Sequence, residues 1–308
     1  MNIVFFGSSP FSLPVFHALA ASTRHRLVGV AAQPDRPSGR HRKITPGIIH
    51  QAALDQKIPI ILPEKIGEPS ALEQLRAWQP DLIAVASYGQ YIPSPVLHLP
   101  RHGALNVHPS LLPKYRGAAP LQWSIARGET VSGVTIFKVV KEMDAGDIVL
   151  QQTSPIAPHE NAIALSERFS RLGAELLLEA LDLIDAARAN LVPQNHAAAT
   201  YAPKINKIDG QLDWRKSACE LHNRIRGFQP WPCGYFFHDG AMTKVWGSEV
   251  VDAAGEPGEL IDTAGAGPLI ATTQGALRLL ELQPEGKRKM SGRDFLNGQK
   301  WTNGLRLG

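Results

Sequence analysis

The sequence predicts an α/β protein with a doubly wound, mostly parallel sheet, followed by a smaller β-barrel domain. In the first half, short apolar runs alternate with amphipathic helical stretches and with turns rich in Gly and Pro, a pattern typical of doubly wound sheets. From Lys207 onward, short strand-like runs are cut by Gly and Pro, which favours a small, partly open barrel. The length of 308 residues also favours two domains.

A change in hydrophobic periodicity sets the expected domain limits. Residues 161–189 predict a long amphipathic helix, because apolar residues recur on one of its faces. Residues 190–206 are rich in Pro, Asn and Ala and lack periodicity, which is typical of a linker. We therefore expect a sheet domain over residues 1–189, a linker over 190–206 and the β domain over 207–308.

Composition excludes several classes of protein. With 44% hydrophobic and 19% charged residues the chain is typical of globular proteins, and no apolar run approaches the roughly 20 residues that span a bilayer. Two cysteines cannot build a disulfide framework or a four-thiolate zinc site. The apolar N-terminus favours a buried strand over a signal peptide. We expect a cytoplasmic enzyme without a metal, whose formal charge of +4 permits an anionic partner.

Two polar residues form the best candidate for a catalytic pair. If residues 103–108 form a strand, Asn106 and His108 point to the same face, and Pro109 ends the strand there. Ligands of open α/β sheets bind at this carboxyl edge. Histidine can exchange a proton near neutral pH, and an asparagine amide can donate to an oxyanion. A lone histidine at a strand end is also common as a structural group. The prediction of a catalytic pair therefore depends on Asn106 on the same face.

A turn with two aspartates is the candidate source of a carboxylate that orients the imidazole. In Asp144-Ala145-Gly146-Asp147, Asp144 is the preferred candidate and Asp147 the alternative. An ordinary turn with self-capping aspartates has the same pattern. Because a nearby carboxylate favours the protonated imidazole, we expect Asp144 to raise the pKa of His108.

Two basic clusters are candidates for binding phosphates. The polar loop over residues 33–43 contains four cations, and residues 287–289 form a second cluster. As solvated segments they need no function, but flexible cationic loops also bind nucleic-acid backbones.

The first strand-to-helix turn offers an alternative function, a nicotinamide dehydrogenase. However, Gly7-Ser8-Ser9-Pro10-Phe11 has one glycine where the dinucleotide fingerprint has three. Pro10 also lacks the amide that a phosphate would use. A plain turn explains this segment better.

Four segments together resemble the 10-formyltetrahydrofolate-dependent formyltransferases. They are Asn106-Val107-His108, Ser110-Leu111-Leu112-Pro113, Arg116-Gly117-Ala118-Ala119-Pro120 and the 144–147 turn. That pattern covers enzymes acting on different amines, including glycinamide ribonucleotide and amino sugars. Further signatures at residues 33–40, 201–205, 226–232 and 289–295 resemble the members that formylate methionine on initiator tRNA. One departure is His41, where the family pattern usually has a glycine.

The resemblance implies a formyltransferase-type, Rossmann-like catalytic domain and an OB-like C-terminal domain that helps to hold tRNA. It implies that Asn106 stabilises the oxyanion, that His108 handles protons and that Asp144 positions the imidazole. The implied partners are 10-formyltetrahydrofolate as co-substrate and initiator methionyl-tRNA, with the protein a monomer. The implied folate contacts are Ser110, Leu111, Leu112, Pro113, Tyr88, Gln90 and Ile92. The implied tRNA contacts are Arg36, Arg40, Arg42, Lys43, Lys287, Arg288 and Lys289.

Two further alternatives stay open at this point. A sugar-nucleotide formyltransferase of the same superfamily is disfavoured by the basic loop over residues 36–43. A non-catalytic RNA-binding protein is disfavoured by the set of Asn106, His108 and Asp144.

Overall fold

The computed structural model describes residues 1–38 and 43–307. Its strands are β1 (Asn2–Gly7), β2 (Arg26–Ala31), β3 (Pro37–Ser38), β4 (Lys43–Ile44), β5 (Ile60–Ile61), β6 (Leu82–Ala86), β7 (Ala104–His108), β8 (Arg116–Gly117), β9 (Val131–Lys138), β10 (Ile148–Pro155), β11 (Tyr201–Ala202), β12 (Gly234–His238), β13 (Ala241–Val251), β14 (Leu260–Asp262), β15 (Leu269–Ala271), β16 (Ala276–Pro284) and β17 (Met290–Ser291). Its α-helices are α1 (Ser12–Ala20), α2 (Ile48–Asp55), α3 (Pro69–Ala77), α4 (Ser94–Leu97), α5 (Pro120–Ala126), α6 (Ala162–Asp185), α7 (Ala218–Gly227) and α8 (Gly292–Asn297). Within these described residues, no helix has the length and apolar character needed to cross a membrane.

The first half forms a seven-stranded sheet in the order β10-β9-β7-β6-β1-β2-β5. The five strands β5, β2, β1, β6 and β7 are parallel to one another, and β9 runs antiparallel to β7. All five residues of β6 are buried, as expected for a central strand covered on both faces. The predicted mostly parallel α/β sheet is confirmed.

Close packing between helix α6 and strand β7 positions the candidate site. A Cβ atom on Gly173 of α6 would lie 2.4 Å from the Val107 side chain, so only a glycine allows this approach. Val107 therefore faces the helix. Since side chains alternate along a strand, Asn106 and His108 lie on the opposite face of β7.

The chain divides into two compact units that are discontinuous in sequence. The first contains Met1–Gly117, Ser132–Ser154 and Ser166–Tyr201, and the second contains Ala118–Val131, Pro155–Leu165 and Ala202–Gly308. The second unit includes α5 because that helix packs on α7. A Cβ atom on Gly227 would lie 2.9 Å from the Ala126 nitrogen.

The second unit is built on an antiparallel sheet in the order β12-β13-β16-β15-β14, with β17 paired to β16. Its core joins α7 to the sheet through Leu221, Ile225, Phe236 and Leu277, all buried. The predicted mostly β second domain is confirmed.

Candidate active site

Strand β7 presents Asn106 and His108 at the carboxyl edge of the sheet. Asn106 lies between Val85 of β6 and Phe137 of β9. It is half-buried, and no described residue forms a hydrogen bond with its side-chain amide. The strand ends at His108, as the sequence predicts. The two side chains are therefore placed where an open α/β sheet binds its ligands.

His108 is held at one ring nitrogen and is open at the other. Its Nε2–H donates to the main-chain oxygen of Tyr115 at 2.9 Å. This bond sets the neutral tautomer and leaves the lone pair on Nδ1. Nδ1 lies 3.8 Å from Oδ2 of Asp144, and the ring packs edge-on against Phe137. Nδ1 is thus the atom that can take up a proton.

Burial governs the protonation of His108. The ring is 4% exposed, and this desolvation lowers the pKa of His108, while Asp144 and the Tyr115 carbonyl act in the opposite direction. Asp144 does raise the pKa of His108, as expected, but the expected net rise is wrong because burial has the larger effect. Removing the imidazolium from water outweighs its attraction to a carboxylate 3.8 Å away. The ring is neutral near pH 7 and can act as a base.

Asp144 projects from a tightly constrained turn. Its Oδ2 accepts a hydrogen bond from the Gly117 main-chain nitrogen at 2.8 Å, and its backbone has a φ of 50°, in the left-handed region. A Cβ atom on Gly146 would lie 1.8 Å from the Lys138 oxygen, so this turn requires glycine there. Asp147 accepts from the Lys138 nitrogen through its main-chain oxygen. Of the two candidate carboxylates, the structure brings Asp144 to His108.

The loop after β7, which contains the first group of predicted folate contacts, is bound to the sheet. Ser110 is fully buried, and its hydroxyl donates to the Lys114 oxygen at 2.7 Å. The Thr135 hydroxyl donates to the Ser110 oxygen and accepts from the Leu112 nitrogen. Leu111 and Pro113 are half-buried. The loop is therefore a fixed wall beside His108.

The second group of predicted folate contacts lies in the loop after β6. Tyr88 and Ile92 are buried in the core, and the Tyr88 hydroxyl has no hydrogen-bond partner among the described residues. The Gln90 amide accepts from the Ile66 nitrogen at 2.8 Å and donates to the Pro63 oxygen at 2.9 Å. The Gln90 amide is therefore held by main-chain groups at both of its ends.

The predicted tRNA contacts are described only in part. Arg36 is exposed and lies 2.8 Å from Glu64. Arg40 and Arg42 lie outside the described residues, and Lys43 is described only as part of the short β3–β4 pair. Lys287, Arg288 and Lys289 are exposed after β16, and Lys289 Nζ lies 3.4 Å from the ring centroid of Trp246.

One polar residue near the turn is missed by sequence reasoning. Gln194 is 6% exposed and lies in a segment without periodicity, where no pattern distinguishes it from a solvated glutamine. Its amide donates to the main-chain oxygens of Asp144 and Gly146.

The geometry of these three residues suits one type of reaction. An amide donor, a neutral imidazole and a nearby carboxylate at the edge of an α/β sheet suit the transfer of an acyl-type group to a nucleophile. The model of the family described as formyl transferase matches residues 1–181. The model described as formyl transferase, C-terminal domain, matches residues 204–300. The chain belongs to the formyl transferase family.

Two relatives agree with this membership, and a solved structure has a similar fold. The chain is 41% identical over 310 residues to a methionyl-tRNA formyltransferase of Methylococcus capsulatus, covering 100% of both chains. It is 38% identical over 308 residues to a methionyl-tRNA formyltransferase of Geobacter sulfurreducens, covering 100% of this chain and 97% of that one. Its fold is similar to that of the sugar 3N-formyl transferase WlaRD, solved in the presence of dTDP and 5-N-formyl-THF. The TM-score is 0.68 at 18% identity, over 94% of this chain and 99% of that one.

Proposed function

We propose that this enzyme transfers the formyl group of 10-formyltetrahydrofolate to the α-amino group of methionine on initiator methionyl-tRNA, for use in translation initiation. The observation that carries the proposal is identity of about 40% over the full chain with relatives of that name. The arrangement of Asn106, His108 and Asp144 supports it, because the reaction needs an oxyanion donor and a base near neutral pH.

In the proposed reaction the methionine amine attacks the formyl carbon directly. As the new C–N bond forms, the Asn106 amide donates to the oxygen that gains negative charge. Nδ1 of His108 takes up the proton that the amine releases, and Asp144 stabilises the resulting imidazolium. The bond from carbon to N10 of the folate then breaks, and N10 regains a proton as tetrahydrofolate leaves. One proton is lost and one is gained, so no other reactant is needed.

The two parts of the chain have separate proposed tasks. Residues 1–189 hold the formyl donor and perform the chemistry, with the loops around residues 88–92 and 110–113 forming the folate pocket. The OB-like part, residues 207–308, follows the linker over 190–206 and helps to hold tRNA. The basic loop over residues 36–43 and the cluster of Lys287, Arg288 and Lys289 supply phosphate contacts. We propose a cytoplasmic monomer that needs no metal.

A competition between acceptors tests this function. The protein is incubated with 10-formyltetrahydrofolate carrying a labelled formyl group and with equal concentrations of initiator methionyl-tRNA, glycinamide ribonucleotide and a dTDP-linked amino sugar. We expect label on the methionine of the tRNA. Uncharged initiator tRNA is the matched control, because it retains every phosphate but lacks the amine. Preferential labelling of the amino sugar would instead establish a sugar-nucleotide formyltransferase.

A further inference from the structure

We propose that Gln194 is a positioning residue that, together with Arg116, holds the turn carrying Asp144 beside His108. The inference rests on the proposed function, since it assigns Gln194 a part in the protonation of the proposed base. In the proposed reaction Asn106, His108 and Asp144 act at the reacting atoms, whereas Gln194 acts only through Asp144.

The Gln194 side chain uses both ends of its amide within the protein. Nε2 donates to the Asp144 oxygen at 2.9 Å and to the Gly146 oxygen at 2.7 Å. Oε1 accepts from Nε and Nη2 of Arg116 at 3.1 and 2.6 Å. Because Arg116 only donates and the two main-chain oxygens only accept, the orientation of the amide is determined. The glutamine bridges a cation to two carbonyls of one turn.

Arg116 gives this bridge its rigidity. It is 4% exposed, and the described residues place no carboxylate against its guanidinium, whose partners are Gln194 and Nδ1 of His196. A bond from a charged donor is stronger than one between neutral groups. The next residue, Gly117, donates from its main chain to Oδ2 of Asp144. Two successive residues therefore hold the turn, one directly and one through Gln194.

The turn depends on such support because its backbone conformation is uncommon. Asp144 has a φ of 50°, and a non-glycine residue in this region persists where its surroundings determine it. Gln194 binds carbonyls on both sides of Ala145 and so limits rotation of the peptide planes that direct the Asp144 side chain. Without the bridge, the main-chain oxygens of the turn lose this restraint and Oδ2 is held only by the Gly117 nitrogen, so its position 3.8 Å from Nδ1 of His108 is less well fixed.

The pKa of His108 depends on the position of Asp144 and can be measured without any substrate. The groups that set its protonation are its own burial, the Asp144 carboxylate and the Tyr115 carbonyl. Moving the carboxylate away removes a stabilising charge from the imidazolium, so the ring loses its proton at lower pH. Replacing a residue that supports only the fold should leave the pKa of His108 unchanged.

The test is an NMR titration of the His108 ring in the full chain, for wild type, Gln194→Met, Asp144→Asn and the double variant. We expect Gln194→Met to lower the pKa of His108 in the same direction as Asp144→Asn. The pKa of His108 in the double variant should be no lower than in Asp144→Asn, because both changes remove the same interaction between the carboxylate and the imidazole. With both substrates, Gln194→Met should lower kcat by about tenfold to 10²-fold with the KM values little changed, as expected for a misplaced group.

Gln229→Met is the matched control. Gln229 is another buried glutamine whose amide bonds to Asn161 and to the Trp246 oxygen, within the second unit, so its loss should lower the melting temperature without moving the His108 titration. If Gln194→Met behaves in this same way, the inference is overturned and Gln194 is only structural. If Gln194→Met does not fold, Gln194→Asn, which is too short to bridge Arg116 and the turn, is judged by the same criterion. The titration needs no formyl transfer, so failure of the proposed function would be seen separately.

Discussion

Nδ1 of His108 faces Oδ2 of Asp144 across 3.8 Å, while Nε2 of the same ring donates to the Tyr115 oxygen at 2.9 Å. One nitrogen is thus committed to the protein, and the other can gain or lose a proton next to a carboxylate. Burial keeps the ring neutral and the carboxylate stabilises it once it is protonated. These properties suit a group that must accept a proton from an amine near neutral pH.

Replacing Asp144 should shift the pH dependence of the reaction. Burial already lowers the pKa of His108 and Asp144 opposes that effect, so Asp144→Asn should lower the pKa further. The acid limb of kcat/KM should lie below about 6.5 in wild type and lower still in the variant. Turnover should also fall, because the imidazolium loses its stabilising charge. An asparagine can still accept from the Gly117 nitrogen, so the turn is retained.

The control for that experiment is Asp147→Asn, which removes a carboxylate from the same turn. It should leave the acid limb in place and reduce turnover less than Asp144→Asn does. A larger loss in Asp147→Asn would require the roles of the two aspartates to be exchanged.

The basic loop should act on the large polyanion and not on the formyl donor. Arg40→Ala is expected to raise the KM for tRNA or lower kcat on it, because arginine donates in a planar fork that suits phosphate or a base edge. Folate affinity should be nearly unchanged. Arg188→Ala, an exposed arginine after α6, controls for the loss of one positive charge. Equal losses for both substrates would indicate a structural loop.

The salt dependence of tRNA binding should reveal the cluster after β16. Each phosphate that is no longer neutralised by a cation should reduce the slope of log K against log salt by roughly 0.7 to 0.9. Lys287→Ala combined with Arg288→Ala should therefore flatten the slope by about 1.4 to 1.8. Arg215→Ala removes a cation that is paired with Asp213 and should have a smaller effect. An unchanged slope in the double variant would show that this cluster does not bind tRNA.

Elements with a strong local pattern could be predicted from the sequence. The alternation of apolar runs and turns predicts β10 over residues 148–155, and the structure has the same bounds. The capping pair Thr45-Pro46 predicts a helix start, but α2 begins at Ile48. The later start follows from a contact with a distant residue. Gly47, the residue before the helix, has an extended backbone, and its nitrogen donates to Oδ1 of Asp35.

The sequence likewise predicts some features of the candidate site and not others. Asn106 and His108 share a strand, so alternation alone places them on one face, and a turn motif identifies Asp144. The net pKa of His108 depends on burial by distant residues, which the sequence does not display. Gln194 lies 48 residues beyond Gly146, and its role exists only through hydrogen bonds made after folding.

Single-turnover formyl transfer by Asn106→Ala and His108→Ala tests the central claim, that the carboxyl edge of β7 performs the chemistry. Each variant is saturated with 10-formyltetrahydrofolate and mixed with labelled initiator methionyl-tRNA, and the binding of both substrates and the melting temperature are measured alongside. His98→Ala, an exposed histidine elsewhere in the sheet domain, is the control. Losing one oxyanion donor costs roughly 3 kcal/mol, so we predict transfer about 10² slower or more in both variants, with folding and binding retained. Transfer near the wild-type rate in either variant would contradict the account.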